Sequence, residues 1–319
     1  MRCPFRGLAV AVAGFAVLSA AADPAVNGAS ARELLDRLQQ TTAALPACHT
    51  TGVSVADMTV SGRRHTQATA FTLTLDRPAR YRITWQTPRP GDVGPGAGGA
   101  VWSGDAGPHV YLESAGAYAP FASHELAFAT ATGVSGGTAI FVPSMFYRDM
   151  ALTQGFSTAV LTEPERLPDD AVEGEPCRVV RGKLEGGPRL TFAIAIADGR
   201  LRRLTQTFGP DDAPDDAPDD RPEMTDEALN AALRELGRTP DPQSRAEIRA
   251  MLEQARTATA AVRGTITHTY RPEDPPDHPD AWFARPPVPA GTPRRETLFD
   301  NLFGAGASTG PAPPVEPVP

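Results

Sequence analysis

The sequence has few of the features by which nucleic-acid-binding and cofactor-binding proteins are recognised. It contains 30 Lys and Arg residues against 38 Asp and Glu, a formal charge of -8, and Lys183 is its only lysine. Because it has no basic face to neutralise phosphates, we expect no nucleic-acid partner. The sequence holds no phosphate loop and no dinucleotide fingerprint, and its histidines are not in metal-ligand spacing. We therefore predict no cofactor and no metal site.

Apolar runs of membrane-spanning length are absent, and the one shorter run lies at the N-terminus. Arg2 and Arg6 precede and flank an apolar stretch at 8–18, which is followed by small residues at 19–22. The stretch is too short to span a bilayer comfortably. This arrangement predicts a secretory signal peptide over residues 1–22, with an uncleaved membrane anchor as the alternative. We expect a periplasmic or secreted protein.

Cysteine is scarce. Removal of Cys3 with the signal peptide leaves Cys48 and Cys177, in a compartment that is oxidising. We predict one disulfide between them, closing a loop of about 130 residues and worth roughly 4–5 kcal/mol in the chain-entropy model. The alternative is two separately buried thiols.

The strongest pattern in the sequence lies at 71–85. Apolar residues alternate with polar ones on both sides of Pro78, which predicts β-structure with one buried face. Because proline lacks an N–H and fixes its own φ, the stretch is either one strand bent at Arg77-Pro78 or two strands joined tightly. The apolar set is Phe71, Leu73, Leu75, Tyr81, Ile83 and Trp85.

The remaining sequence predicts helices around a meander of short strands. A capping box at Ser30 opens an amphipathic helix that ends near Leu45. Short strands follow to residue 118, small helices or loops cross the sheet at 127–155, and further strands occupy 177–208 and 262–270. We expect residues 210–262 to be an acidic solvated linker plus a helical pair, and residues 294–319 to be a disordered Pro/Gly/Ala tail.

No catalytic constellation is evident. Ser135 lies in a G-x-S-x-G match, but its flanks are small and flexible, and nothing links it to His268 or His278. His65 and His268 lie in strand-like runs, and we expect both to be surface residues. We predict that the protein is not an enzyme, and a secreted hydrolase is the weakest of the hypotheses.

The order of these elements resembles the LolA/LolB superfamily of periplasmic lipoprotein carriers, and in particular its exported relatives. The resemblance covers roughly residues 30–293, within which residues 210–262 are an insertion that the carriers lack, and depends on four stretches. These are the opening helix with Leu34, Leu35 and Leu38; Leu75 to Arg82 with its Arg-Pro step; Val101 to Asp105 running to Tyr111; and Thr265 to Tyr270 followed by Trp282 to Pro287.

The resemblance implies an α+β fold over residues 30–293: a curved antiparallel sheet forming an incomplete, unclosed β-barrel with helices packed over its concave side. It also implies an exported, monomeric carrier that binds a lipid or lipoprotein acyl chain and possible envelope-protein partners. Burial stabilises such a chain by about 0.8 kcal/mol per methylene. We predict that the six apolar residues of 71–85 line the groove; ordinary core packing is the alternative for them. The alternative function is a structural or interaction module of the cell envelope with no transported ligand.

Overall fold

The computed structural model describes residues 28–60, 62–88, 97–104, 107–148, 156–185, 187–209, 225–235, 239–250, 262–275, 283, 287–296 and 298. The predicted signal peptide, the acidic repeat at 211–220 and most of the predicted tail lie outside these residues. Among the residues described, no helix is both long and apolar enough to cross a membrane. Within the same ranges no group of three or more His, Cys, Asp or Glu side chains is placed to hold a metal ion.

The described chain forms eleven strands and four named helices, with a further helical stretch at 242–250. The helices are α1 (Ala31–Ala44), α2 (His124–Val134), α3 (Phe141–Phe146) and α4 (Asp226–Glu235). The strands are β1 (Ala47–Val60), β2 (Arg63–Asp76), β3 (Arg80–Thr87), β4 (Ala97–Gly104), β5 (Gly107–Leu112), β6 (Ala117–Pro120), β7 (Leu161–Val172), β8 (Glu175–Leu184), β9 (Arg189–Ala195), β10 (Leu201–Phe208) and β11 (Arg263–Glu273).

All eleven strands belong to one antiparallel sheet that does not close. Its order is β6-β5-β4-β3-β2-β1-β11-β10-β9-β8-β7, so β6 and β7 are the two edges. The chain meanders from β1 to one edge, crosses through α2 and α3 to the other edge, and returns to β1 through β11. This confirms the predicted fold class of an unclosed antiparallel sheet with helices.

The stretch at 71–85 is two strands joined by a tight turn, one of the two predicted arrangements. β2 and β3 pair with Phe71 opposite Trp85, Leu73 opposite Ile83, and Leu75 opposite Tyr81. Directly opposed residues in an antiparallel pair share a face, so the six apolar side chains lie on the same side of the sheet. We call this side the inner face, and the opposite side the outer face.

The N-terminal helix begins as the sequence predicts. Ser30 Oγ accepts a hydrogen bond from Glu33 N (3.3 Å), and Ser30 N donates to Glu33 Oε2 (2.7 Å), completing a capping box. Leu34, Leu35 and Leu38 on α1 are at most 4% exposed and pack into the main core. Helix α1 therefore lies on the inner face.

Two glycines make room for a row of aromatic rings on the inner face. Gly52 lies between Phe71 and Tyr270 in register, and Gly99 lies opposite Trp85. A β-carbon at Gly52 would lie 2.3 Å from the Phe71 ring and from Thr269 O, and one at Gly99 would lie 2.2 Å from the Trp85 ring. The Phe71 and Tyr270 rings meet edge to face across Gly52, with centroids 5.5 Å apart.

The C-terminal segment packs against the edge strand β6 and the end of the β2–β3 hairpin. Tyr118 N donates to Pro293 O (3.1 Å), and Arg295 N donates to Tyr118 O (2.9 Å). The Arg80 guanidinium lies 5.3 Å from the centroid of the Phe283 ring. Ordered pairing therefore continues past residue 293, into the first residues of the predicted tail.

Candidate functional site

The residues predicted to line a groove all lie in the core between the inner face and the helices. Leu73, Leu75, Tyr81 and Ile83 are fully buried, and Phe71 and Trp85 are each 4% exposed. They share one hydrophobic cluster with the apolar residues of α1, α2 and α3. We call α1, α2 and α3, with the stretch that joins α2 to α3, the cover. The cover packs over Leu73, Leu75, Tyr81 and Ile83, so a ligand reaches these four only when part of it moves; Phe71 and Trp85 also border an open cleft.

The β2–β3 hairpin fixes α1 and α3 with polar contacts to main-chain carbonyls. The Arg77 guanidinium donates to Ala43 O, to Leu45 O (3.2 Å) and to Phe146 O (2.8 Å). Immediately after α3, Tyr147 OH donates to the carbonyls of Asp76 (3.1 Å) and Arg80 (2.6 Å). The Arg77 contacts satisfy carbonyls at the C-terminal ends of α1 and α3, and the Tyr147 contacts satisfy carbonyls of the hairpin. Together they fix that end of the cover to the sheet.

Helix α2 is held to the sheet by fewer and smaller buried side chains than α1. Its buried residues are Ala127, Phe128 and Ala131, of which Phe128 alone is large. The Phe128 ring lies 4.4 Å from the Tyr81 ring, and Tyr81 OH hydrogen-bonds His124 Nδ1 at 3.0 Å. Since alanine buries little apolar area, α2 depends mainly on Phe128. We therefore expect α2 to separate from the sheet at a lower cost than α1 or α3.

Several buried polar atoms between the cover and the sheet have no hydrogen-bond partner among the described residues. Three of them, Ser135 Oγ, Thr138 Oγ1 and Ser144 Oγ, belong to the stretch that leads from α2 into α3. Two more, His268 Nδ1 and Tyr270 OH, belong to β11. All five residues are at most 2% exposed. Buried polar groups in proteins are nearly always paired, so this interface differs from an ordinary core.

The protonation of His268 follows from its neighbours. Gln206 Nε2 lies 3.0 Å from His268 Nε2, and since an amide nitrogen only donates, this amide assignment leaves the ring proton on Nδ1. Burial lowers the pKa of His268 to about 4, so the imidazole is neutral near pH 7. His268 is fully buried, and the prediction of a surface position for it is wrong; His65 is exposed, as predicted.

His268 belongs to a continuous run of ring contacts through the core. Its ring lies 6.3 Å from Tyr270 and 5.9 Å from Phe141. Beyond these, Tyr270 contacts Phe71, and Phe141 contacts Phe156 at 5.1 Å. The predicted groove residues are therefore connected to the polar atoms of β11 by direct packing.

Ser135 lacks the geometry of an activated nucleophile. A nucleophile elbow requires a strand before the serine and a helix after it, but Ser135 is the C-terminal cap of helix α2. Its Oγ has no hydrogen-bond partner within the described ranges, and the nearby His268 bonds Gln206 at Nε2. The geometry gives no support to the hydrolase hypothesis.

The predicted disulfide is not formed. Cys48 and Cys177 are both free, and they lie on opposite faces of the sheet. Cys48 is opposite Leu75 on the inner face and packs on the main core, whereas Cys177 belongs to a separate small cluster with Val179. Their strands β1 and β8 are also separated by three others, and a disulfide needs Cα atoms within about 7 Å. Burial raises the pKa of both thiols, that of Cys48 to about 11.

A cleft of 590 Å³ lies on the outer face. Thr51, Thr72 and Thr84 lie in one register across β1, β2 and β3 and form part of its lining. Glu113 and Arg271 also line it, and Pro287 and Pro289 approach from the C-terminal segment. Phe71 and Trp85, two of the six predicted groove residues, also border it, so this mixed polar and apolar cleft adjoins the inner-face core.

Comparison with known proteins gives similarity in structure alone. No protein-family model matches the chain, and no curated protein matches its sequence. The solved structures it is similar to include LprF from Mycobacterium bovis (16% identity, TM-score 0.34, 56% of this chain and 87% of that one). They also include a conserved protein from Thermus thermophilus (9%, 0.37, 83% and 99%) and a LolA superfamily protein from Nitrosomonas europaea (9%, 0.22, 57% and 73%).

The sequence analysis does not predict that Gln206 and Tyr270 belong to the inner-face site. Both lie in predicted strands, where alternation gives the spacing of a face but not which face it is. The available signal is the spacing of Ile266, His268 and Tyr270, which places the histidine on the same face as an aromatic residue.

Proposed function

We propose that this chain is an exported, non-enzymatic binding protein that holds an acyl chain of a lipid or an acylated protein between its inner face and its helical cover. The observation that carries the proposal is the inner face itself. An unclosed sheet presents one continuous apolar and aromatic cluster that includes the six residues at 71–85, and part of its cover is the small-residue helix α2.

The free energy of apolar burial favours replacement of α2 by an acyl chain. Each buried methylene contributes about 0.8 kcal/mol, and exposing one large apolar side chain such as Phe128 costs about 1.5–3 kcal/mol. A chain of roughly ten methylenes therefore gains about 8 kcal/mol before the costs of association. That gain exceeds the cost of moving Phe128 away from Tyr81, while Arg77 and Tyr147 hold α1 and α3 in place.

The setting that we propose is the periplasm or the exterior of the cell, on the basis of the predicted signal peptide at 1–22. Free fatty acids and lipids are sparingly soluble there, so a donor and an acceptor membrane or protein would load and unload the chain. We infer that envelope proteins or acylated proteins are its partners.

The test is native mass spectrometry and lipid extraction of protein directed to the periplasm and purified without detergent. We expect adducts with the masses of acyl lipids, which disappear after organic extraction and return on incubation with a fatty acid. Repeated preparations without adducts, and without uptake of added fatty acid, would contradict the proposal.

A second candidate function is an interaction module of the cell envelope with no transported ligand. The complete burial of Leu73, Leu75 and Tyr81 beneath the chain's own helices favours it, because a filled core needs no ligand. Under this function, affinity capture from envelope extracts recovers a protein partner, and fatty acid added in excess leaves the mass spectrum and the partner unchanged.

A further inference from the structure

The interface between β11 and the stretch joining α2 to α3 contains polar atoms that no described residue satisfies. His268 Nδ1 and Tyr270 OH on the sheet, and Ser135 Oγ and Thr138 Oγ1 on the cover, are all without partners there. Leaving buried donors and acceptors unpaired is costly. A group that enters this interface and hydrogen-bonds them removes that cost.

These atoms lie in one neighbourhood. His268 and Tyr270 are two residues apart on β11, so their side chains share a face, with ring centroids 6.3 Å apart. Gly137, between Ser135 and Thr138, lies directly over the histidine: a β-carbon there would lie 3.4 Å from Gln206 Nε2 and 3.7 Å from His268 Nε2. The backbone between Ser135 and Thr138 thus packs on the Gln206–His268 pair of the sheet.

We propose that His268 and Tyr270, with Ser135 and Thr138 opposite them, form a neutral subsite that donates hydrogen bonds to the carbonyl oxygen of an acyl ester or amide. This inference depends on the proposed function, since it names the part of the ligand that the site recognises. It adds a polar contact to a site otherwise defined by apolar burial.

The chemistry of the subsite selects a neutral acceptor. The imidazole presents a donor at Nδ1 because Gln206 Nε2 faces its other nitrogen, and the tyrosine and the two hydroxyls also donate. None of these four side chains is charged, so a phosphate or a carboxylate would occupy this subsite without a counter-charge, which is strongly unfavourable; a fatty acid is expected to bind through its hydrocarbon, with its carboxylate outside the subsite. A carbonyl oxygen carries lone pairs without a net charge and fits the donors.

The position of the subsite suits a ligand with a tail. The Tyr270 ring contacts Phe71 at 5.5 Å, so a carbonyl held by Tyr270 OH starts its acyl chain beside the aromatic row of β2 and β3. On the other side, His268 contacts Phe141 on α3. The hydrocarbon would therefore extend from the polar subsite across the inner face.

The experiment compares two Tyr→Phe variants that differ in whether the lost hydroxyl has a partner. Tyr270→Phe removes a hydroxyl without one, whereas Tyr147→Phe removes a hydroxyl bonded to two carbonyls. Methyl decanoate, N-methyldecanamide and undecane compete with a bound fluorescent fatty acid for wild-type protein and both variants. Thr138→Val, which removes an unpartnered hydroxyl at nearly constant volume, serves as an independent second variant.

We expect wild-type protein to bind the ester and the amide about fivefold more tightly than the hydrocarbon, and Tyr270→Phe to abolish that preference without lowering Tm. Tyr147→Phe should lower Tm and keep the preference. Binding of all three ligands with equal affinity, or a preference that survives in both Tyr270→Phe and Thr138→Val, would overturn the subsite but leave the proposed function intact. Absence of binding by the fluorescent fatty acid and by all three ligands would overturn both.

Discussion

The substitution Phe128→Ala tests whether α2 opens independently of the sheet. Phe128 is 3% exposed and packs on Tyr81 with ring centroids 4.4 Å apart. Truncation of a buried Phe to Ala costs about 3–5 kcal/mol. Because Ala127 and Ala131 are the other buried residues of α2, we expect almost all of this loss in the free energy of opening α2.

The assay is hydrogen exchange, measured separately for each backbone amide. In the variant, the amides of α2 should exchange faster by the factor that corresponds to a loss of about 3–5 kcal/mol in the free energy of opening. The amides of β2 and β3 should keep their protection, because parts of a protein that open separately lose protection separately. Val134→Ala on the same helix is the control; Val134 is 45% exposed, and its truncation should stay within about 0.5 kcal/mol. Equal loss of protection in α2, β2 and β3 would show that α2 opens only with global unfolding, and would refute this reasoning.

Two further predictions concern the sheet. Gly52→Ala should lower stability by several kcal/mol in denaturant unfolding, because its β-carbon would meet the Phe71 ring and main-chain oxygen of Thr269 at 2.3 Å; wild-type stability would contradict this packing. His268, with a pKa lowered to about 4 by burial, should make the protein less stable as the pH is lowered. In the unfolded chain this histidine takes up a proton below about pH 6.5, whereas in the folded chain it stays neutral until about pH 4, so about 2–3 kcal/mol of stability is lost between pH 7 and pH 4. Thermal melts from pH 7 to 4 should show the full slope in His65→Gln, which changes an exposed histidine, and a shallower slope in His268→Gln, where His49 and His124, whose pKa values are also lowered by burial, still contribute; an equal slope in both variants would contradict it.

The local elements of the fold could be predicted from the sequence because their signals are local. The capping box at Ser30 and the alternation on either side of Pro78 involve residues within a few positions of one another, and both are confirmed. Alternation also predicts that the six apolar residues of β2 and β3 share a face, which pairing of these strands requires.

The neighbours of each strand could not be predicted in the same way. β11 pairs with β1, although their sequence positions are more than 200 residues apart, and alternation carries no information about partners. His268 is buried because β10 and β1 flank it and α3 packs above it, contacts that a surface prediction from its own strand cannot anticipate. The two cysteines are separated for the same reason, since their faces and strand positions depend on register across the whole sheet.

The central claim is that an acyl chain lies against the inner face, and quenching of tryptophan fluorescence by a brominated fatty acid tests it most directly. Bromine quenches only a ring that it contacts. Trp85 lies on the inner face, whereas Trp102 lies on the outer face, stacked on His109 at 5.2 Å.

Two variants isolate these rings: Trp102→Phe with Trp282→Phe leaves Trp85, and Trp85→Phe with Trp282→Phe leaves Trp102. We predict saturable quenching of Trp85 by the brominated chain, and none of Trp102. Quenching of Trp102 alone would place the ligand beside Trp102 and His109 on the outer face, and an unquenched Trp85 in protein that binds the fatty acid would contradict the account.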